Sequence, residues 1–270
     1  MGSSTSAIRW RKAATPRGVP TTLPPPGTPP EGQLALGLDL PGPGAGTGTA
    51  GAGPERHEVL PDVVLVRRWL DLDAQRRLVA DFRRWAEPPA GLRHPRLPTG
   101  HLMTVQSVCL GWHWTPYAYS RTADDTDGAP VKPLPPSLHA LARAAVAAAY
   151  GEGSPAAVAY DPDAVIANLY APGAKLGLHQ DGEEPSMAPV VTISLGDTGV
   201  FRMAGVDRRT GPFTDVELHS GDLLVFGGVN RLIFHGVPKV RAGTAPPGLD
   251  LPPGRLSITV RETGLPDPTD

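Results

Sequence analysis

Asn168-Leu169-Tyr170-Ala171-Pro172-Gly173-Ala174-Lys175-Leu176-Gly177-Leu178-His179-Gln180-Asp181 is the stretch on which the fold and chemistry of this chain turn. It opens in the strand-like run Val165-Ile166-Ala167-Asn168-Leu169-Tyr170, breaks at the turn Ala171-Pro172-Gly173-Ala174, and resumes as an extended segment. Side chains two apart in extended backbone share a face. Asn168 and Tyr170 therefore point one way together, and so do His179 and Asp181, as two ligands of one ion must.

A His-x-Asp triplet alone is weak: with 8 His and 18 Asp in 270 residues, chance supplies one roughly half the time. Its partner lies 54 positions after Asp181. Leu232-Ile233-Phe234-His235 is an apolar run ending in a histidine and Gly236, which reads as a buried strand delivering His235 at its end. The competing reading is a hydrogen-bonded core histidine. Two neutral imidazoles and a carboxylate on one face of a metal leave the opposite positions open, which suits a non-haem Fe(II) centre that admits a co-substrate and O2.

Gly254-Arg255-Leu256-Ser257-Ile258-Thr259-Val260-Arg261 alternates like a strand, with Arg255, Ser257, Thr259 and Arg261 on one face. A guanidinium fork matches a carboxylate, and a dicarboxylate such as 2-oxoglutarate offers an anchor at each end. A solvated outer face is the alternative, since the chain carries 21 Arg against 4 Lys.

In combination, residues 168–181, the stretch from Phe226-Gly227-Gly228 to Arg231-Leu232-Ile233-Phe234-His235-Gly236, and the Arg-x5-Arg strand resemble the signature of the AlkB-type Fe(II)/2-oxoglutarate-dependent dioxygenases. The resemblance runs in order over about residues 59 to 264. It implies that His179, Asp181 and His235 ligate Fe(II). It implies too that Asn168, Tyr170, Arg255 and Arg261 contact 2-oxoglutarate, Arg255 at the distal carboxylate and Arg261 nearer the iron. Ser257 takes the place of an asparagine common in the family, which puts that contact in question. On the substrate side the resemblance points to Met103, Trp112 and Tyr117 around a flipped-out methylated base, with Trp112 stacking on it; stacking contributes about 1–3 kcal/mol per base. Arg208 matches a residue that meets substrate or phosphate, and reads equally well as a hairpin tip. Glu183 stands where the family's bacterial type has an aspartate that reads the base.

The activity so implied is oxidative demethylation of N-alkylated bases of the 1-methyladenine and 3-methylcytosine type. It consumes O2 and 2-oxoglutarate and releases formaldehyde, succinate and CO2. The expected partner is methylated single- or double-stranded DNA, with RNA as an alternative; flipping a base costs a few kcal/mol, least for damaged ones. A dioxygenase acting on modified RNA, protein or a small molecule, and a non-catalytic jelly-roll binding module, are the competing classes.

Composition divides the chain near residue 57. Residues 1–57 hold 10 Pro and 11 Gly and cannot bury enough apolar area to offset their ordering entropy, so a disordered extension is expected, followed by one catalytic domain over 58–270. The leucines of Gln33–Leu40 are expected to be incidental in a coil, with docking on the folded body or a partner as the alternative. In the domain, a strand is expected at 63–66. A helix follows from about Asp73 to Trp85, capped by Asp71 or Asp73, and a second runs from Ser137 to Tyr150, entered after Pro136 and closed by Gly151. Only strands are expected after that, at 164–170, 189–195, 199–204, 214–226, 230–235 and 255–262. Two helices and then many strands argue an α+β chain, helices packed on one side of a double-sheet jelly roll, the double-stranded β-helix that the resemblance also implies.

A net charge of −2 gives no global attraction to nucleic acid, so binding has to come from a local basic face and weaken with salt. The single cysteine, Cys109, excludes an internal disulfide and a cysteine-based zinc site. With no apolar leader or spanning segment read in the sequence, a cytoplasmic monomer without membrane attachment is expected.

Overall fold

The computed structural model describes residues 53–266. Strands β1 (Glu55–Leu60) and β2 (Val63–Arg67) lead into helix α1 (Leu72–Ala86). Strand β3 (Gln106–Leu110) and the small hairpin of β4 (His113–Thr115) and β5 (Ala118–Ser120) precede helices α2 (Pro136–Tyr150) and α3 (Pro155–Ala159). The remainder is β6 (Ala164–Tyr170), β7 (Leu176–His179), β8 (Val190–Gly196), β9 (Thr198–Met203), β10 (Thr214–Leu218), β11 (Leu223–Phe226), β12 (His235–Arg241) and β13 (Arg255–Arg261).

Seven strands form a major sheet in the order β1-β2-β11-β8-β13-β6-β3, and four form a minor sheet in the order β10-β9-β12-β7. Neighbours in both are antiparallel. Val63, Leu65, Leu224 and Phe226 from the major sheet and Phe201, Met203 and Val237 from the minor one share a single core cluster. This is a double-sheet jelly roll, with α1 contacting β3 and α2 contacting β2, β8 and β11. Helix α1 begins where Asp71 accepts from the Ala74 N–H at 2.7 Å, a cap that contributes about 1 kcal/mol. Its stripe of Leu78, Val79, Phe82 and Trp85 is buried, and each such side chain stabilises by about 1.5–3 kcal/mol. Pro136 opens α2 and Gly151, at φ +94°, closes it.

Three local expectations are corrected. The span 214–226 is two strands: the chain leaves the minor sheet after Leu218 and enters the major sheet at Leu223. Gly221 makes that crossing at φ +86°, where a Cβ would stand 2.4 Å from Gln75 Nε2. The span 230–235 is a 3-10 turn, Gly228–Asn230, and a further turn before β12, so His235 begins a strand instead of ending one. Its backbone bonds are irregular: the Ile233 N–H donates to the Asn230 carbonyl, the Phe234 N–H donates to the Gly205 carbonyl, and the Leu232 carbonyl accepts from the Gln180 side chain. Third, the short helix α3 interrupts what reads as an all-strand region, capped by Ser154 and opened by Pro155.

Strand β1 starts at Glu55, so residues 55–57 pair with β2 and belong to the folded body. Residues 1–52, including the Gln33–Leu40 leucines, lie outside the described residues. Among the described residues no helix is long and apolar enough to cross a membrane.

Candidate metal and co-substrate site

The two sheets bring the separated motifs together. His179 ends β7 and is the direct cross-strand partner of His235 at the start of β12. Their ring centroids are 4.4 Å apart. Asp181 lies just past the end of β7, its carboxylate 3.5 Å from His179 Nε2 and 3.7 Å from His235 Nε2. One donor atom from each of the three lies within 4.8 Å of the others, a group that could hold a metal ion.

Each histidine carries its own orientation device. Nδ1 of His179 meets the Gly177 carbonyl at 3.0 Å, and Nδ1 of His235 meets the Ile233 carbonyl at 3.0 Å. A carbonyl only accepts, so Nδ1 holds the proton in both rings and Nε2 presents a lone pair towards Asp181. The His235 ring is stacked on Phe201, 5.3 Å between centroids, and tilted against Phe226. Burial is the main reason its pKa is pushed down to about 4, outweighing the favourable charge of Asp181. The ring is a neutral donor at physiological pH.

Burial works to raise the Asp181 pKa, but Arg261, the two imidazoles and Arg231 outweigh it and hold the carboxyl well below the usual range. Arg261 Nη2 lies 2.8 Å from Asp181 Oδ1. Oδ2 is buried and accepts no hydrogen bond from the described residues. A buried unpaired carboxylate oxygen is costly, and a cation beside two imidazole lone pairs supplies the missing partner. The donor set of two nitrogens and one carboxylate fits Fe(II) with open positions.

Strand β13 decides between an inward and a solvated arginine face. All seven of its residues are buried, Arg255 at 1% and Arg261 at 6% exposure. The alternating face runs across the middle of the major sheet: Ser257 pairs with Asn168 on one side and Ser194 on the other, while Asn168 pairs with Ser107. The Ser107 hydroxyl donates to Asn168 Oδ1 at 2.6 Å. Arg255 pairs with Tyr170, its guanidinium carbon 5.3 Å from the ring centroid. Arg255 Nε donates to Ser194 Oγ at 3.0 Å, and among the described residues neither Nη group has a hydrogen-bond partner. Two buried, unpaired guanidinium nitrogens side by side fit one carboxylate of a dicarboxylate.

The residues expected at the substrate side are less closely gathered. Trp112 is buried, its indole N–H donating to Asp163 Oδ2 at 3.0 Å and its ring lying 3.6 Å from the Arg121 guanidinium carbon. The indole is thus a packed wall residue with a face covered by Arg121. Tyr117 is 72% exposed at the tip of the β4–β5 hairpin, Met103 is partly exposed, and Arg208 is exposed. Glu183 is half-buried, and burial raises its pKa.

Several contacts around the centre escape the sequence reading, although the aromatic cluster Trp112, Trp114, Tyr117 and Tyr119 already marks the hairpin as a candidate pocket wall. Tyr119 donates to Glu184 Oε1 and accepts from Arg261 Nη1 at 2.9 Å, so the hairpin reaches the centre through a second tyrosine. Glu184, whose side chain is fully buried, receives both Arg261 and Arg231. Gln180, between His179 and Asp181, donates to the Leu232 and Val206 carbonyls at 2.6 and 2.9 Å. The only local signals are adjacency to the triplet and, for Arg231, its place four residues before His235.

Comparison with known proteins gives the family. Residues 62–261 match the family model of the 2OG-Fe(II) oxygenase superfamily. The chain is 36% identical over 218 residues to the Alpha-ketoglutarate-dependent dioxygenase AlkB of Escherichia coli, covering 78% of this chain and 94% of that one. It is 32% identical to the DNA N(6)-methyladenine demethylase ALKBH1D of Arabidopsis thaliana, over 76% of this chain and 50% of the other. The solved structure of OsALKBH1 superposes with a TM-score of 0.68 at 34% identity, covering 76% of this chain and all of that one. The chain belongs to the 2OG-Fe(II) oxygenase superfamily as an AlkB-type dioxygenase.

Proposed function

We propose that the protein oxidatively removes methyl groups from nucleobases of the 1-methyladenine and 3-methylcytosine type in DNA, with methylated RNA as the neighbouring substrate. His179 and His235 ligate Fe(II) through Nε2 and Asp181 through its carboxylate; Arg255 grips the distal carboxylate of 2-oxoglutarate. Asn168, Tyr170 and Ser257, on the strand pair that carries Arg255, contact the 2-oxoglutarate in this reading. When bound, Fe(II) and 2-oxoglutarate supply the oxidation of an N-methyl carbon by O2, with succinate, CO2 and formaldehyde as products. The chain's own part is to hold neutral imidazoles, keep Asp181 ionised, orient the dicarboxylate and exclude water.

The observation that carries the nucleic-acid reading is the rim. Tyr117 presents an exposed ring on the same hairpin whose Tyr119 touches Arg261. Arg209 lies against Gly177, two residues before His179, and Arg208 beside it is exposed. An aromatic surface for stacking beside cations for phosphate suits a single-stranded or flipped base. The catalytic unit in this reading is the body that begins with β1, and Met103, Trp112, Glu183 and Arg208 stand as its substrate-side residues.

The test is formaldehyde release from a panel of methylated DNA and RNA oligomers, with Fe(II), ascorbate and 2-oxoglutarate. Release from 1-methyladenine or 3-methylcytosine supports the proposal; succinate formation with every oligomer unchanged sinks it. N6-methyladenine belongs in the panel because the Arabidopsis relative bears that activity in its name.

A further inference from the structure

Arg231 is 1% exposed and sits in the turn ahead of β12. Nη1 donates to the Asp181 carbonyl at 2.7 Å, Nε to the Ala188 carbonyl at 2.7 Å, and Nη2 to Glu184 Oε2 at 3.3 Å. All three bonds fall on the segment 181–188, whose first residue is a ligand of the triad. Arg231 itself is joined through the short run 232–234 to His235, the ligand opposite. One guanidinium therefore bridges the backbones that deliver two of the three donors.

Desolvating a guanidinium costs several kcal/mol, and a buried ion pair is often no more stabilising than apolar residues of the same volume. Stability is a poor reason for a charge at this place. Geometry is a better one: Glu184, held by Arg231 through Oε2, accepts from Arg261 Nη1 through Oε1 at 2.9 Å, and Arg261 meets Asp181 Oδ1. The chain of contacts starts at the Asp181 backbone and returns to its carboxylate. Gln180 adds a parallel brace from the triplet to the Leu232 carbonyl.

We propose that Arg231 is a positioning residue of the metal centre: it fixes the Asp181 backbone, and through Glu184 and Arg261 the Asp181 carboxylate, at the distance from His235 that the ion requires. This rests on the reading that His179, Asp181 and His235 hold Fe(II). Groups that orient metal ligands without touching the ion typically change affinity by about 10–100-fold when removed.

The experiment is Mn(II) titration of the full chain, followed by electron paramagnetic resonance, for the wild type, Arg231→Gln, Arg231→Lys, His179→Ala and Asp222→Asn, alongside each Tm. Asp222 is a buried hub that accepts from Arg67 Nη1 and the Arg68 and His219 N–H groups, away from the triad segment. It controls for destabilisation as such. The expected result is Mn(II) affinity weakened by about 10–100-fold in Arg231→Gln, partly recovered in Arg231→Lys, and unchanged in Asp222→Asn despite a lower Tm. Should Arg231→Gln fail to fold, Arg231→Lys decides, with an affinity below wild type expected. Wild-type affinity in the folded Arg231 variants overturns the proposal and leaves the ligand assignment standing. Wild-type Mn(II) binding that survives His179→Ala overturns the ligand assignment, and this proposal with it.

Discussion

Gly199 lies directly under the Arg255 side chain: a Cβ on residue 199 would stand 2.6 Å from both Cδ and Nε of Arg255. The missing methyl group is the space in which the guanidinium rests. Gly199→Ala is expected to displace Arg255 and raise the 2-oxoglutarate KM by about 10-fold, on an overpacking cost of about 1–3 kcal/mol. Mn(II) affinity should not change, because Gly199 is at the opposite end of β9 from Met203, the cross-strand partner of His235. Isothermal titration with each ligand in turn separates the two.

Arg255→Met should behave oppositely in the free and liganded protein. Without a dicarboxylate, the wild type carries two buried donors lacking partners among the described residues, each costing about 1–3 kcal/mol. The free variant should therefore melt no lower than wild type, while its 2-oxoglutarate KM rises by about 100-fold or more, the equivalent of about 3 kcal/mol of charge-assisted bonding. A free variant that melts much lower would show that Arg255 is stabilising in its own right.

Asp181→Asn keeps the shape and removes the charge that faces Arg261 at 2.8 Å. Turnover should fall by at least about 100-fold and Mn(II) binding should be lost, because an amide oxygen is a poor substitute for a carboxylate at a divalent ion. Demethylase activity within twofold of wild type would remove Asp181 from the ligand set.

The metal-free protein should lose stability on mild acidification. The folded His235 pKa is pushed down to about 4 by burial, whereas an unfolded histidine titrates near about 6.5. Above the unfolded value the ring is neutral in both states; between the two values only the unfolded chain takes up the proton, so stability drains away as pH falls from about 6.5 towards 4. Thermal melts of chelator-treated wild type and His235→Gln should converge as pH falls over that window. Parallel profiles would mean that His235 is not held neutral.

Tyr119→Phe removes the hydroxyl shared by Glu184 and Arg261 without emptying the site. The β4–β5 hairpin then loses its tie to the centre, and the KM for a methylated oligomer should rise several-fold with little change in the affinity for Mn(II). Stopped-flow fluorescence of oligomer binding gives the check.

How much of this was legible in the chain depends on the range of the interaction. Strands β6, β8 and β13 and helices α1 and α2 follow from alternation, caps and Pro/Gly punctuation, all local. The inward face of β13 is also legible as a face, but not as inward, because alternation cannot say which side the second sheet covers. Strand β1 is hidden by its polar, exposed residues: among the described residues it is an edge strand paired only with β2. The apolar run 232–234 misleads since apolar character reports burial, and a buried turn looks like a buried strand. Arg231 and Glu184 are invisible for a different reason. Their contacts span 47 positions, and in a chain with 21 Arg no local feature distinguishes a buried guanidinium from a surface one.

The Nδ1 contacts of His179 and His235 reach only to the carbonyl two residues upstream in each case. Every amino-acid type supplies that carbonyl, so the choice of tautomer places no demand on the identity of residues 177 or 233 and asks nothing of any distant side chain. The nitrogen donors are in this respect self-contained cassettes, portable with three residues of backbone. Sequence drift elsewhere in the jelly roll can reshape the substrate rim without disturbing which nitrogen faces the ion.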